Sequence, residues 1–216
     1  RSNNIRTLWF LGDSVLMQMA FAAGCRARHA ESGVGSSAWS RPSWAFFNNE
    51  KAAGGINCMG DAQQQHRVCF LTTVGHHGSP TITQALKSLI ALKQTRATDV
   101  AVVTPGAWRV ENASRHRELV AELVSLVESS PSTLPRVVYQ EPLAAHFPTA
   151  GGWWKPGLGE HARCSPLSSQ RPPPAIRAVA DVLEQAALPP SRLAVLHSWA
   201  WSAGLSDMHM GVVPGK

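Results

Sequence analysis

No stretch of this 216-residue chain is long or apolar enough to span a membrane, and no signal peptide stands at its start. Its four cysteines, Cys25, Cys58, Cys69 and Cys164, lack C-x-x-C spacing, which argues against a zinc site and a thioredoxin-like centre. No internal repeat is present, so the chain is not a stacked-repeat architecture. It also lacks a basic run. The formal charge of +6 and pI near 9.6 would suit a nucleic acid, an acidic polysaccharide or an anionic membrane surface. Yet Arg26/Arg28, Arg115/Arg117 and the isolated arginines never form a tract that tracks phosphates, so no nucleic-acid partner is expected. With 15 Arg against 5 Lys, compositional bias can account for much of the excess, and such bias carries no information about partners.

What is present suffices for one substantial core. At 44% hydrophobic, the chain is expected to form a single domain over residues 1–216. Apolar runs alternate with helical periodicity, the pattern of a parallel sheet covered on both faces. The expected strands are 5–11, 67–74, 99–104, 136–140 and 192–197. The expected helices run from Val15 to about His29, from Ser79-Pro80 with Ile82, Leu86, Leu89 and Ile90 on one face, over 112–129 and over 175–188. The fold class is therefore α/β: a three-layer α/β/α sandwich around a central, mostly parallel five-stranded sheet. Stretches 31–66 and 141–173 resist regular assignment and are expected to gather at the carboxyl ends of the strands, where ligands bind.

Gly12-Asp13-Ser14 lies between an apolar run and an amphipathic stretch, so it reads as strand, tight turn and helix start. A serine there has its hydroxyl at the carboxyl edge of the sheet and its N–H at a helix start able to stabilise an oxyanion. The alternative is that Ser14 caps the helix. Two further landmarks follow later strands: Thr104-Pro105-Gly106-Ala107-Trp108, and Gln140-Glu141 leading to His146-Phe147. Trp39, Trp44, Trp153 and Trp154 read as stacking platforms for sugar rings or as ordinary packing. Cys58 and Cys69 flank a polar loop and suggest a disulfide, leaving Cys25 and Cys164 as a second pair, with buried free thiols as the alternative. Asn112-Ala113-Ser114 is a glycosylation sequon. His76-His77 with Asp207 or His209 forms no complete metal motif, and no metal or cofactor is expected. Gly33-Val34-Gly35 follows a helix rather than a strand, which sets aside a dinucleotide site.

In this order the landmarks resemble the plant and algal trichome-birefringence-like proteins, or PC-esterases, of the SGNH/GDSL hydrolase group. Phe10-Leu11-Gly12-Asp13-Ser14 is similar to the family's GDS block, and Val102 to Trp108 to its strand ending in Asn-x-Gly-x-Trp. His146-Phe147, Gly152-Trp153 and Cys164 resemble a third block, and Ser206-Asp207-Met208-His209 a fourth. The resemblance implies an SGNH-like fold and an acyl esterase or O-acetyltransferase that works on carbohydrate through an acyl-Ser14 intermediate. Ser14, Gly106 and Thr104 would form the oxyanion site, and Trp153, Trp154 and His146 would contact substrate. The partners would be an acyl donor and a carbohydrate acceptor, in the secretory pathway, Golgi or outside the cell.

Two departures qualify this reading. Thr104 stands where the family has an oxyanion asparagine, exchanging an amide donor for a hydroxyl. None of Asp13, Asp61, Asp99, Asp181 and Asp207 has histidine three positions on, so the Asp-x-x-His base is missing. His209 with Asp207 is the competing candidate base. The start at Arg1 and the end at Lys216 lead to the expectation of a fragment truncated at both ends, with a membrane anchor outside it. The alternative function is a carbohydrate-binding relative with impaired catalysis.

Overall fold

The computed structural model describes residues 5–32, 56–60, 66–73, 80–105, 112–130, 132–144 and 172–204, and only the backbone of Ser14 and of 28–32. The continuous apolar runs form strands because both of their faces are covered. β1 (Thr7–Gly12), β3 (Arg67–Thr72), β4 (Val100–Val103), β5 (Arg136–Gln140) and β6 (Leu193–Leu196) are mutually parallel neighbours, and with β2 (Ile56–Gly60) they form a sheet ordered β2-β3-β1-β4-β5-β6. Trp9 and Leu11 of β1 join Cys69, Leu71, Ala101, Val103, Val137 and Tyr139 on one face. Leu8 and Phe10 join Val68, Phe70 and Val102 on the other.

Right-handed crossovers then dictate the layers. The chain moves one way from β1 to β3 through α1 (Ser14–Ser32). It moves the other way from β3 through α2 (Ile82–Ala91), α3 (Ala113–Ser129) and α4 (Pro174–Ala186) to β4, β5 and β6. Among the described helices, α1 therefore packs on one face, while α2, α3 and α4 share the opposite one. The result is the expected three-layer sandwich. In order of appearance the five parallel strands run 2-1-3-4-5, a doubly wound order whose reversal falls between β1 and β4.

Local chemistry sets the helix positions. In α1, Leu16, Ala20 and Gly24 repeat every four residues and are buried toward the sheet. α2 starts later than Ser79-Pro80: Thr81 is its N-cap, accepting from Gln84 N while the Gln84 side chain accepts from Thr81 N. That reciprocal capping box satisfies two helix-start donors, so it fixes the boundary. Asn112 caps α3 by accepting from Arg115 N at 2.9 Å. A short α5 (Ser198–Ser202) follows β6 and was not expected from the sequence.

The sheet has six strands rather than five. The addition, β2 (Ile56–Gly60), pairs antiparallel with β3 and lies inside the stretch 31–66 read as irregular. An edge strand of five residues with only Ile56 fully buried carries neither an apolar run nor a clean alternation. Its pairing comes from its neighbour. Cys58 sits opposite Cys69, and the two form a disulfide. Cys25 is an exposed free thiol, so the second pairing with Cys164 does not form; Cys164 itself lies outside the described residues. At the amino edge, buried Asp99 accepts from Thr7 N and Arg96 N, each at 3.0 Å, which ties β1 to the turn before β4.

Candidate functional site

The strand-order reversal opens the carboxyl edge between β1 and β4, and Gly12-Asp13-Ser14 lies there. The Gly12 carbonyl accepts from Thr73 N at 3.0 Å and the Leu11 carbonyl from Thr104 N at 3.1 Å, so the end of β1 is held from both sides. A Cβ on Gly12 would lie 2.8 Å from Leu16 Cδ1 and 2.9 Å from Thr104 Cγ2. Glycine is therefore needed for close approach of α1 and β4.

Asp13 is buried and caps α1: its Oδ1 accepts from Val15 N at 3.0 Å and its carbonyl from Met17 N at 3.1 Å. Ser14 is consequently the first helical residue rather than the cap. Its N–H is one of the donors that helix geometry leaves without an intrahelical acceptor, at the positive end of a 19-residue helix. The Ser14 side chain lies outside the described residues.

Thr104 is buried on the α1 side of the sheet, with its methyl beside Gly12. Its backbone N–H is committed to Leu11, so that donor is not offered to an oxyanion. Continuing the β1–β4 and β4–β5 registers by one residue aligns Gly12, Thr104 and Gln140 across the edge. Gln140 is buried and its Oε1 has no hydrogen-bond partner among the described residues; the same holds for Thr73 Oγ1 at the end of β3. Two orphaned buried polar atoms at one edge are unusual for a folded protein.

A second pair of groups stands at the far end of this edge. His197 Nδ1 lies 3.0 Å from Glu141 Oε1, the other Glu141 oxygen accepts from Trp199 N at 3.3 Å, and Ser198 Oγ donates to the Glu141 carbonyl. Glu141 is mostly buried and His197 exposed, so a fixed carboxylate orients an imidazole at the surface. The sequence reading did not single out either group for this role. Both fall one residue past a strand, on neighbouring strands, and that placement is the signal by which they were findable. β6 lies three strand spacings from β1, about 14 Å. This pair therefore does not reach the Ser14 position.

Beneath the edge, His116 of α3 is fully buried with Nε2 2.9 Å from Tyr139 Oη. Burial pushes the imidazole down to about 4 and the Tyr139 phenol well above its ordinary value, the latter helped by the Glu141 charge. The pair is neutral and structural.

Of the sequence-derived site, Gly106, His146, Trp153, Trp154, Asp207 and His209 lie outside the described residues, as do His76 and His77. The structure thus brings together Ser14 and Thr104 at the reversal and leaves the rest without a described position. Among the described residues, no three His, Cys, Asp or Glu side chains gather to hold a metal ion, and no helix is long and apolar enough to cross a membrane. No family model, no curated protein and no solved structure matches this chain at a significant level.

Proposed function

We propose that this chain is an SGNH-type acyl esterase or O-acetyltransferase that acts on carbohydrate through an acyl-Ser14 intermediate. One observation carries the reading: Ser14 is the first residue of α1 at the reversal of the doubly wound sheet, beside the strand that leads to Gly106. Such a position offers a helix-start N–H to a tetrahedral oxyanion, and the loop after β4 leaves the same opening. A nucleophilic hydroxyl also needs a base. The Asp-x-x-His base is missing from this chain, His209 with Asp207 is the competing candidate and lies outside the described residues, and His197 stands three strands away. The Cys58–Cys69 disulfide supports a secretory or extracellular setting.

A fluorophosphonate probe tests the nucleophile. Labelling of the full protein that disappears in Ser14→Ala is the expected result. Folded protein that remains unlabelled refutes the acyl-enzyme reading. One observation favours the alternative of a glycan-binding relative: Thr104 supplies no side-chain amide and its N–H is already bonded. Glycan binding without any labelling, lost in Trp153→Ala/Trp154→Ala, would establish that reading instead.

A further inference from the structure

Arginines that are dispersed in the sequence are collected by the fold. Along the amino edge of the sheet, Arg67 opens β3, Arg6 precedes β1, Arg96 lies in the turn before β4, Arg136 opens β5 and Arg192 precedes β6. Each of the five parallel strands therefore brings one guanidinium, and the row spans four strand spacings, about 19 Å. Arg96, Arg136 and Arg192 are exposed, while Arg6 and Arg67 are half-buried.

The row has local ties but little neutralisation. Arg67 Nη2 donates to Thr7 Oγ1 at 3.2 Å, Arg136 Nε donates to the Pro190 carbonyl at 3.0 Å, and Arg192 Nη2 donates to the Val127 carbonyl. The buried Nε atoms of Arg6 and Arg67 have no partner among the described residues, and no described carboxylate is within ion-pair distance of any of the five. Burial, then Arg6 and Arg96, lower the Arg67 pKa, with Asp99 partly offsetting them, so these groups lie within Coulombic reach. Lys93 follows α2 at the same end. The described acids there are Asp99, buried with its oxygens bonded to backbone N–H groups, and Glu128 and Glu184 in the last turns of α3 and α4. Among the described residues, cations prevail.

We infer that the amino edge of the sheet is a binding surface for an extended acidic polysaccharide, whose carboxylates pair with the arginine row from Arg67 to Arg192. Guanidinium forks match carboxylates, and a linear polymer suits a linear row. A single-stranded nucleic acid would need aromatic stacking platforms, and the exposed large apolar residues described are Ile5, Leu196 and Trp201, of which Ile5 alone lies near this edge. The disulfide also points to an oxidising compartment. The choice of a glycan rests on the carbohydrate reading above, whereas the charge row does not.

The test measures binding of the full chain to alginate, a polyuronate, with neutral dextran, a single-stranded oligonucleotide and phosphatidylserine vesicles alongside. Alginate should bind best, weaken with salt, and lose about fivefold in affinity in Arg96→Gln/Arg136→Gln. Arg115→Gln/Arg177→Gln removes the same charge from the start of α3 and α4 at the other edge and should leave affinity unchanged. Circular dichroism checks that both variants fold. Equal loss in the two variants, no alginate binding, or oligonucleotide or vesicle binding as strong as alginate binding overturns the inference. Fluorophosphonate labelling of the Arg96→Gln/Arg136→Gln protein reports separately on Ser14, so failure of the edge and failure of the acyl-enzyme reading are distinguishable.

Discussion

Acidification should destabilise this protein through His116. The imidazole is fully buried against Tyr139, with Nδ1 lacking any partner among the described residues, and its pKa falls from 6.5 to about 4 in the folded state. The unfolded chain takes up a proton as pH drops through 6.5, whereas the folded protein resists until about 4. Stability from this group is therefore fully present above 6.5, declines between 6.5 and 4, and levels off below. A depression of that size corresponds to about 3 kcal/mol, of which about 2.5 kcal/mol is lost by roughly pH 4.5. Urea unfolding followed at several pH values in the wild type and in His116→Gln isolates the effect, because glutamine retains a partner for the phenol and does not titrate. The wild type should lose about 2.5 kcal/mol more than the variant between neutral and mildly acidic pH. Parallel pH profiles for the two proteins would refute the assignment of a neutral, buried imidazole.

The two described α1-side glycines should respond differently to alanine. At Gly12 a Cβ meets Leu16 and Thr104 within 2.9 Å in a packed junction, so Gly12→Ala should cost about 1–3 kcal/mol and reduce fluorophosphonate labelling of Ser14. At Gly24 the clash is with Met59 Cε, the end of a flexible side chain, so Gly24→Ala should melt within a few degrees of the wild type. Reducing the Cys58–Cys69 bond, or replacing both residues by alanine, should cost about 3 kcal/mol from the 11-residue separation it closes, read by urea unfolding with and without reductant.

The site was legible in part. Gly12-Asp13-Ser14 announces a strand-to-helix turn because the apolar run before it and the periodic run after it need a junction there. Which residue caps the helix was not legible, since aspartate and serine are equally good caps and the backbone register decides between them. A similar ambiguity, of two residues, moved the cap of α2 from Ser79 to Thr81, where Gln84 completes the reciprocal bond. Glu141 and His197, 56 residues apart, meet only because β5 and β6 are neighbours.

Local sequence pattern by itself determined the alternation of strands and helices, because continuous apolar runs and i, i+4 stripes report burial within a few residues of themselves. Tertiary structure alone decided the strand order, the sixth strand at the edge and the gathering of the arginines. β2 is held by a neighbour and a disulfide rather than by its own apolar content. Arg6, Arg67, Arg96, Arg136 and Arg192 are dispersed along the chain yet share one edge, since every parallel strand starts at the same side of the sheet.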